Sequence, residues 1–250
     1  MKGGRADELR LAFLLLTRLP VRPIAGETPA MAASSWAWPI VGLVVGGISA
    51  LVCQAALALG LPPATAAILA LAASVLATGA MHEDGLADLA DGFGGGRTRE
   101  RKLEIMRDSR IGSYGVIALV LALGFRGTAL AGLIEGGGSV FALAALAAAS
   151  RAVLPAAIVL MPAARADGLG RAAAGIDPVP ARIAVGIGFL CLLPLGIGPA
   201  VVVAAAMAGS AIVVAWRAIR QIGGQTGDVL GAMQQFAECA GWAAAIALIV

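Results

Sequence analysis

WAWPIVGLVVGGISALVCQAALALGL, residues 36–61, runs for 26 positions without a charge. As a helix rising 1.5 Å per residue it extends for about 39 Å, enough to cross a hydrocarbon layer of ~30 Å with some tilt. Comparable apolar segments occupy 63–81, 112–134, 140–161, 183–198 and 199–216, and a last one, 227–250, begins polar and ends apolar. None shows the strict two-residue alternation of a transmembrane barrel. With 60% hydrophobic and 13% charged residues, the 250-residue chain lies far outside the composition of a soluble domain. It reads as all-α: one polytopic membrane domain over 1–250, about seven transmembrane helices with the fifth short, and a short amphipathic N-terminal helix.

The basic residues orient this bundle. Lys2, Arg5, Arg10, Arg18 and Arg22 precede the first span. Arg97, Arg99, Arg101, Lys102, Arg107 and Arg110 separate the second from the third. Arg165, Arg171 and Arg182 follow the fourth, and Arg217 and Arg220 the sixth, whereas the alternate loops around Pro62, Gly137 and Gly198 carry none. Because positive loops stay inside, the N-terminal segment 1–35 and the loop 92–111 are expected in the cytoplasm and Val250 outside. The net charge of +3 follows from this bias and needs no nucleic-acid partner. The apolar core of LAFLLLTRLP (11–20) ends at Thr17 and Arg18, too short for a signal sequence, and reads as a helix lying on the cytoplasmic face. Cys53, Cys191 and Cys239 fall inside spans without ligand-like spacing, which speaks against a zinc site or disulfide framework. Thirty-four glycines and many alanines suit close helix contacts; they are compatible with a homo-oligomer but do not specify one.

Against this apolar background stands HEDGLADLADG, residues 82–92. Asp84, Asp88 and Asp91 are spaced by four and three residues, so a helix places them on one stripe, the seven-residue total overshooting two turns by only about 20°. Like charges on one stripe repel unless a cation sits between them. Oxygen-only donors at this density suit Mg²⁺, with Mn²⁺ as a substitute, and such ions commonly hold substrate phosphates. The plain alternative is a solvated acidic helix end. Glu83 points off the stripe and is expected in solvent. His82, the single histidine, joins the candidate catalytic set beside the aspartates, although a lone histidine is more often a structural donor. Gly92, Gly94, Gly95 and Gly96 match no phosphate-binding fingerprint and read as a flexible link.

Two further polar clusters fall at the same end. RTRERKLEIMRDSRIGSYG (97–115) carries Lys102, Arg107, Asp108, Ser109 and Arg110. It is either a lipid-binding surface or a clamp in which the basic residues and Ser109 hold phosphates while Asp108 adds a metal ligand or orients a base. GQTGDVLGAMQQFAE (224–238) opens the last span with Asp228, Gln234, Gln235 and Glu238. Asp228 either caps its helix or contacts substrate, and Glu238 lies about 15 Å further along the axis. Arg151, mid-span, needs an anion or a carboxylate, with Glu238 its candidate partner. Arg126 reads as snorkelling outward and is left outside the site.

Taken in order, HEDGLADLADG, LEIMRDSRIGSYG (103–115) and GDVLGA (227–232) resemble the cobalamin synthase family, the adenosylcobinamide-GDP ribazoletransferases. FLLLTRLPV (13–21), WPIVGLVVGG (38–47) and ARADGLG (164–170) extend the likeness over most of the chain. Glu83 departs from it, since a hydrophobic residue is common there. The resemblance implies a Mg²⁺-dependent enzyme of the bacterial inner membrane. A ribose hydroxyl of α-ribazole, or of its 5′-phosphate, attacks the phosphorus of adenosylcobinamide-GDP, and GMP leaves. Two other readings stay open. A CDP-alcohol phosphotransferase also uses spaced aspartates, but this chain has DGLAD where that pattern requires an arginine. An ion-coupled transporter would keep its charges near the midplane and leaves the arginine-rich loop unexplained.

Overall fold

The computed structural model describes residues 4–165 and 177–249; Arg171 and most of the ARADGLG stretch lie outside the described residues. Helix α1 (Arg5–Leu16) turns Leu9, Ala12, Phe13 and Leu16 toward the core. Its other side carries the short-range ion pairs Arg5–Glu8 and Arg10–Asp7. Helical turns at 31–37 lead into α2 (Trp38–Ala58). There follow α3 (Pro63–Thr78), α4 (Met81–Gly95), the short α5 (Arg99–Ile105), α6 (Ser113–Glu135), α7 (Ala142–Leu160), α8 (Pro178–Leu192), α9 (Ile197–Ile222) and α10 (Gly227–Ile249).

Among the described residues, five helical segments are long and apolar enough to cross a membrane: 31–58, 113–135, 142–160, 178–195 and 197–222. The expected count of seven is approximate, for two physical reasons. Helices α3 and α4 qualify only together and are bent by 90°. Helix α10 carries Asp228, Gln234, Gln235 and Glu238 in its first half. The segment on α7 is 72% buried, against 22–28% for those on α6, α8 and α9, so α7 is the central helix. Leu51, Ile68, Leu76, Val120, Leu121, Leu160 and Ile212 are exposed, as lipid-facing side chains of a membrane bundle should be. Helix α2 crosses α7 at Gly42 and Gly46, a small-xxx-small pair; a Cβ at Gly46 would lie 2.6 Å from the Ala144 Cα.

The break between α3 and α4 sets the direction of the aspartate helix, where the sequence had read a continuous helix end. Gly79 (φ +66°) and Ala80 (φ +59°) are both left-handed. The Gly79 and Ala80 N–H groups donate back to Leu76 and Val75, the Schellman closure of α3. The Arg18 N–H donates to the freed Ala77 carbonyl at 2.8 Å. Left-handed alanine costs about 1–2 kcal/mol, and the contacts on both flanks hold it.

One end of the bundle collects segments far apart in sequence. Arg99 donates from Nε to the Ile222 carbonyl (2.9 Å) and from Nη2 to the Ala164 carbonyl (2.6 Å). Ala164 N–H donates to Gln225 O and Gln225 N–H to Pro162 O, an isolated parallel bridge. The loops after α4, α7 and α9 are thereby tied into one surface. Gly92 to Gly95 are helical and close-packed against Met106, Tyr114 and Ile105, so the flexible link expected there is not formed.

Candidate active site

On α4 the three aspartates differ in setting: Asp84 is exposed, Asp88 half-buried and Asp91 buried. Asp91 accepts from the Gly112 N–H (2.6 Å) and the Gly115 N–H (2.9 Å), so both its oxygens satisfy free donors at the start of α6. Asp88 lies within electrostatic reach of Asp84, Asp91 and also Asp228 on α10. This fourth carboxylate arrives because α4 and α10 cross at Gly85 and Gly231. A Cβ on Gly85 would lie 2.9 Å from the Asp228 carbonyl oxygen and 3.1 Å from the Gly231 Cα, so only glycine permits the approach. Asp228 accepts from the Thr226 hydroxyl at 3.2 Å and stands 3.6 Å from Arg165 Nη2. Among the described residues no three acidic, imidazole or thiol groups converge tightly enough to cage an ion. The donors fit Mg²⁺ nonetheless, because that ion is usually held by one or two carboxylates, waters and substrate phosphates, and Asp84 and Asp88 remain accessible.

The loop cluster divides. Asp108 and Arg110 pair with each other through Nε–Oδ1 (3.1 Å) and Nη2–Oδ2 (2.7 Å), and the Arg110 side chain is 87% exposed. The fork holds the Asp108 carboxyl down at about 2. Asp108 is therefore committed to its neighbour and is not drawn into the aspartate stripe. Ser109 is exposed beside them. Lys102 lies over Gly96, its Cα 2.8 Å from where a Cβ would stand. Arg107 does face the site: it is within electrostatic reach of Asp228 and lines a cleft of about 510 Å³ with Arg99, Glu100, Leu103, Glu104, Ala164 and Arg165.

His82 sits elsewhere. It is 2% exposed, its Nε2 has no hydrogen-bond partner among the described residues, and it borders a small apolar cavity with Leu16, Trp38, Leu154 and Leu230. Those surroundings are apolar and the imidazole is closed to solvent, as for a structural histidine.

Behind α4 lies a buried polar network that the sequence reading had distributed differently. Arg126 is 2% exposed and donates to Glu238 (2.7 Å), Gln235 (3.0 Å) and Glu83 (3.5 Å). It is not a snorkelling residue, and Glu83 is buried where solvent had been expected. Gln235 also donates to Glu83 and to Gln234, and Gln234 to Ser150. Arg151, the expected partner of Glu238, instead donates to the Ala147 carbonyl in its own helix at 2.9 Å. It is fully inside the bundle, within electrostatic reach of Glu238 and Glu83, and does not open on the cleft. Intramembrane charge was the signal available for Arg126; for Arg165 there was only its place in a polar loop.

The model of the cobalamin-5-phosphate synthase family matches residues 8–246. A relative from Bradyrhizobium diazoefficiens, named adenosylcobinamide-GDP ribazoletransferase, is 51% identical over 92% of this chain and 90% of its own length. Relatives of the same name from Mesorhizobium japonicum and Azorhizobium caulinodans are 47% and 45% identical, covering 94% and 92% of this chain and 90% and 91% of their own lengths. No solved structure matches the chain.

Proposed function

The chain belongs to the cobalamin-5-phosphate synthase family, and from that premise we propose how its polar end carries out the reaction. It is a multi-pass membrane enzyme of cobalamin synthesis, acting as an adenosylcobinamide-GDP ribazoletransferase. The acceptor, α-ribazole or its 5′-phosphate, brings a ribose hydroxyl to the phosphorus that stays with cobinamide; the bond to GMP breaks, and GMP carries away the leaving oxygen. Such transfers demand alignment and charge neutralisation more than covalent help. Asp84 and Asp88 would hold Mg²⁺, which when bound neutralises the diphosphate; Mn²⁺ would substitute. Asp91 fixes the angle of α4 against α6, so the two accessible aspartates present a set geometry. Arg107 faces the diphosphate from the cleft. The single observation that carries this reading is that Asp84, Asp88 and Asp228 lie within electrostatic reach of one another, and Asp228 of Arg107 and Arg165 in the arginine-lined cleft, at one end of the bundle.

Purified protein in nanodiscs should release GMP only when adenosylcobinamide-GDP, an acceptor and Mg²⁺ are all present, and EDTA should stop release. GMP formed without acceptor, or undiminished by EDTA, would contradict the assignment, and transport of a solute with no GMP would favour a carrier. The charge bias of the loops supports a cytoplasmic site in a bacterial inner membrane with the N-terminus inside. In a variant with Cys53, Cys191 and Cys239 replaced by alanine, an impermeant maleimide on intact cells should label Gly137→Cys and miss Arg97→Cys. The reverse pattern would place the site outside.

A further inference from the structure

We propose that Arg165 is a diphosphate-binding residue of this site, gripping the nucleotide diphosphate beside Asp228 where the aspartate face meets the cleft; the assignment rests on the transfer reaction above. Position argues first. Arg165 directly follows the Pro162–Ala164 segment bridged to Gln225, and its side chain stands 3.6 Å from Asp228, lies within electrostatic reach of Asp88 and lines the 510 Å³ cleft. It is thus shared by the aspartate face and the cleft.

Its bonding argues second. Guanidinium has five N–H donors in a planar fork. Here Nη2 donates to the Leu103 carbonyl at 3.1 Å and stands 3.6 Å from one Asp228 oxygen, too far for a hydrogen bond. Nε is buried and has no hydrogen-bond partner among the described residues. The nearby carboxylate therefore does not use the fork, in contrast to Arg110, whose fork is closed on Asp108. A tetrahedral phosphate with several acceptor oxygens is the ligand chemistry such a fork matches.

Anchoring argues third. Arg99 clamps the Ala164 carbonyl, immediately before Arg165, to the end of α9, so the backbone carrying the fork is fixed before substrate arrives. Preorganisation of this kind limits the ordering cost of binding.

GDP is the probe, titrated calorimetrically into the protein in nanodiscs, with KM for adenosylcobinamide-GDP measured in parallel. Arg165→Ala should weaken GDP binding and raise KM at least tenfold, with kcat reduced less than KM is raised. Arg165→Lys keeps the charge but not the fork and should recover only part of the loss. The competing role is simple neutralisation of Asp228: in that case Asp228→Asn placed on Arg165→Ala would restore GDP affinity, whereas a phosphate-binding fork predicts that it does not. GDP affinity within twofold of wild type in Arg165→Ala, or its restoration by Asp228→Asn, would overturn the proposal. If Arg165→Ala does not fold, the decision passes to Arg165→Lys, for which unchanged GDP affinity is the refuting result. Failure of the wild-type protein both to bind GDP and to release GMP would instead remove the reaction itself, and the proposal with it.

Discussion

Asp88→Asn is expected to lower turnover at least a hundredfold while leaving the protein folded and inserted, a loss of about 2.7 kcal/mol in transition-state stabilisation at about 1.36 kcal/mol per decade. The side chain is half-buried beside Asp84, Asp91 and Asp228, and asparagine preserves its shape while removing the anion. Removing one of four mutually repelling carboxylates should also leave the metal-free protein as stable as wild type or more so. The rise in melting temperature on adding MgCl₂, which measures binding to the folded state, should shrink in Asp88→Asn and in Asp84→Asn. Asp91 is expected to behave differently because its oxygens bind the Gly112 and Gly115 N–H groups. Asp91→Ala should cost about 0.5–2 kcal/mol of stability, the range for loss of a helix cap, with turnover falling as α6 loosens. Near-normal GMP release by both Asp84→Asn and Asp88→Asn at saturating Mg²⁺ would remove the stripe from the site.

Arg126→Met should be the most destabilising of the substitutions considered. Methionine fills much of the volume but leaves Glu83 and Glu238 buried together without a cation, and breaking a buried pair from one side costs about 3–5 kcal/mol. Thermal unfolding in detergent is the measurement. The companion Arg126→Met/Glu238→Gln should be more stable than Arg126→Met alone, because one stranded charge is gone, and the non-additivity of the cycle reports the coupling. A loss below about 1 kcal/mol in Arg126→Met would mean that the network is solvated. Since Glu83 lies next to Asp84 on α4, variants that weaken the network should also lose turnover, with Glu83→Gln milder than Arg126→Met because it leaves one ion pair in place.

The sequence by itself determined a good deal. Uninterrupted apolar runs can only be helices in lipid, since every backbone donor and acceptor must be satisfied within its own segment; the all-α membrane bundle follows from segments such as 36–61. The four- and three-residue spacing of Asp84, Asp88 and Asp91 fixed their common stripe, and motif order carried the family. Spacing along a chain, however, sets the angle of a residue on its helix and says nothing about the neighbour that helix will meet. Partners were therefore decided in three dimensions: Arg126 with Glu238 across 112 positions, Glu83 with Arg126 across 43, and Asp91 with the Gly115 N–H across 24. The break at Gly79–Ala80 was equally illegible, because alanine favours continuing a helix and only the contacts around Arg18 and Ala77 hold it left-handed. Buried ionic groups are expensive unless paired, so which charge goes inside depends on what packing brings to face it, and that is a property of the assembled bundle.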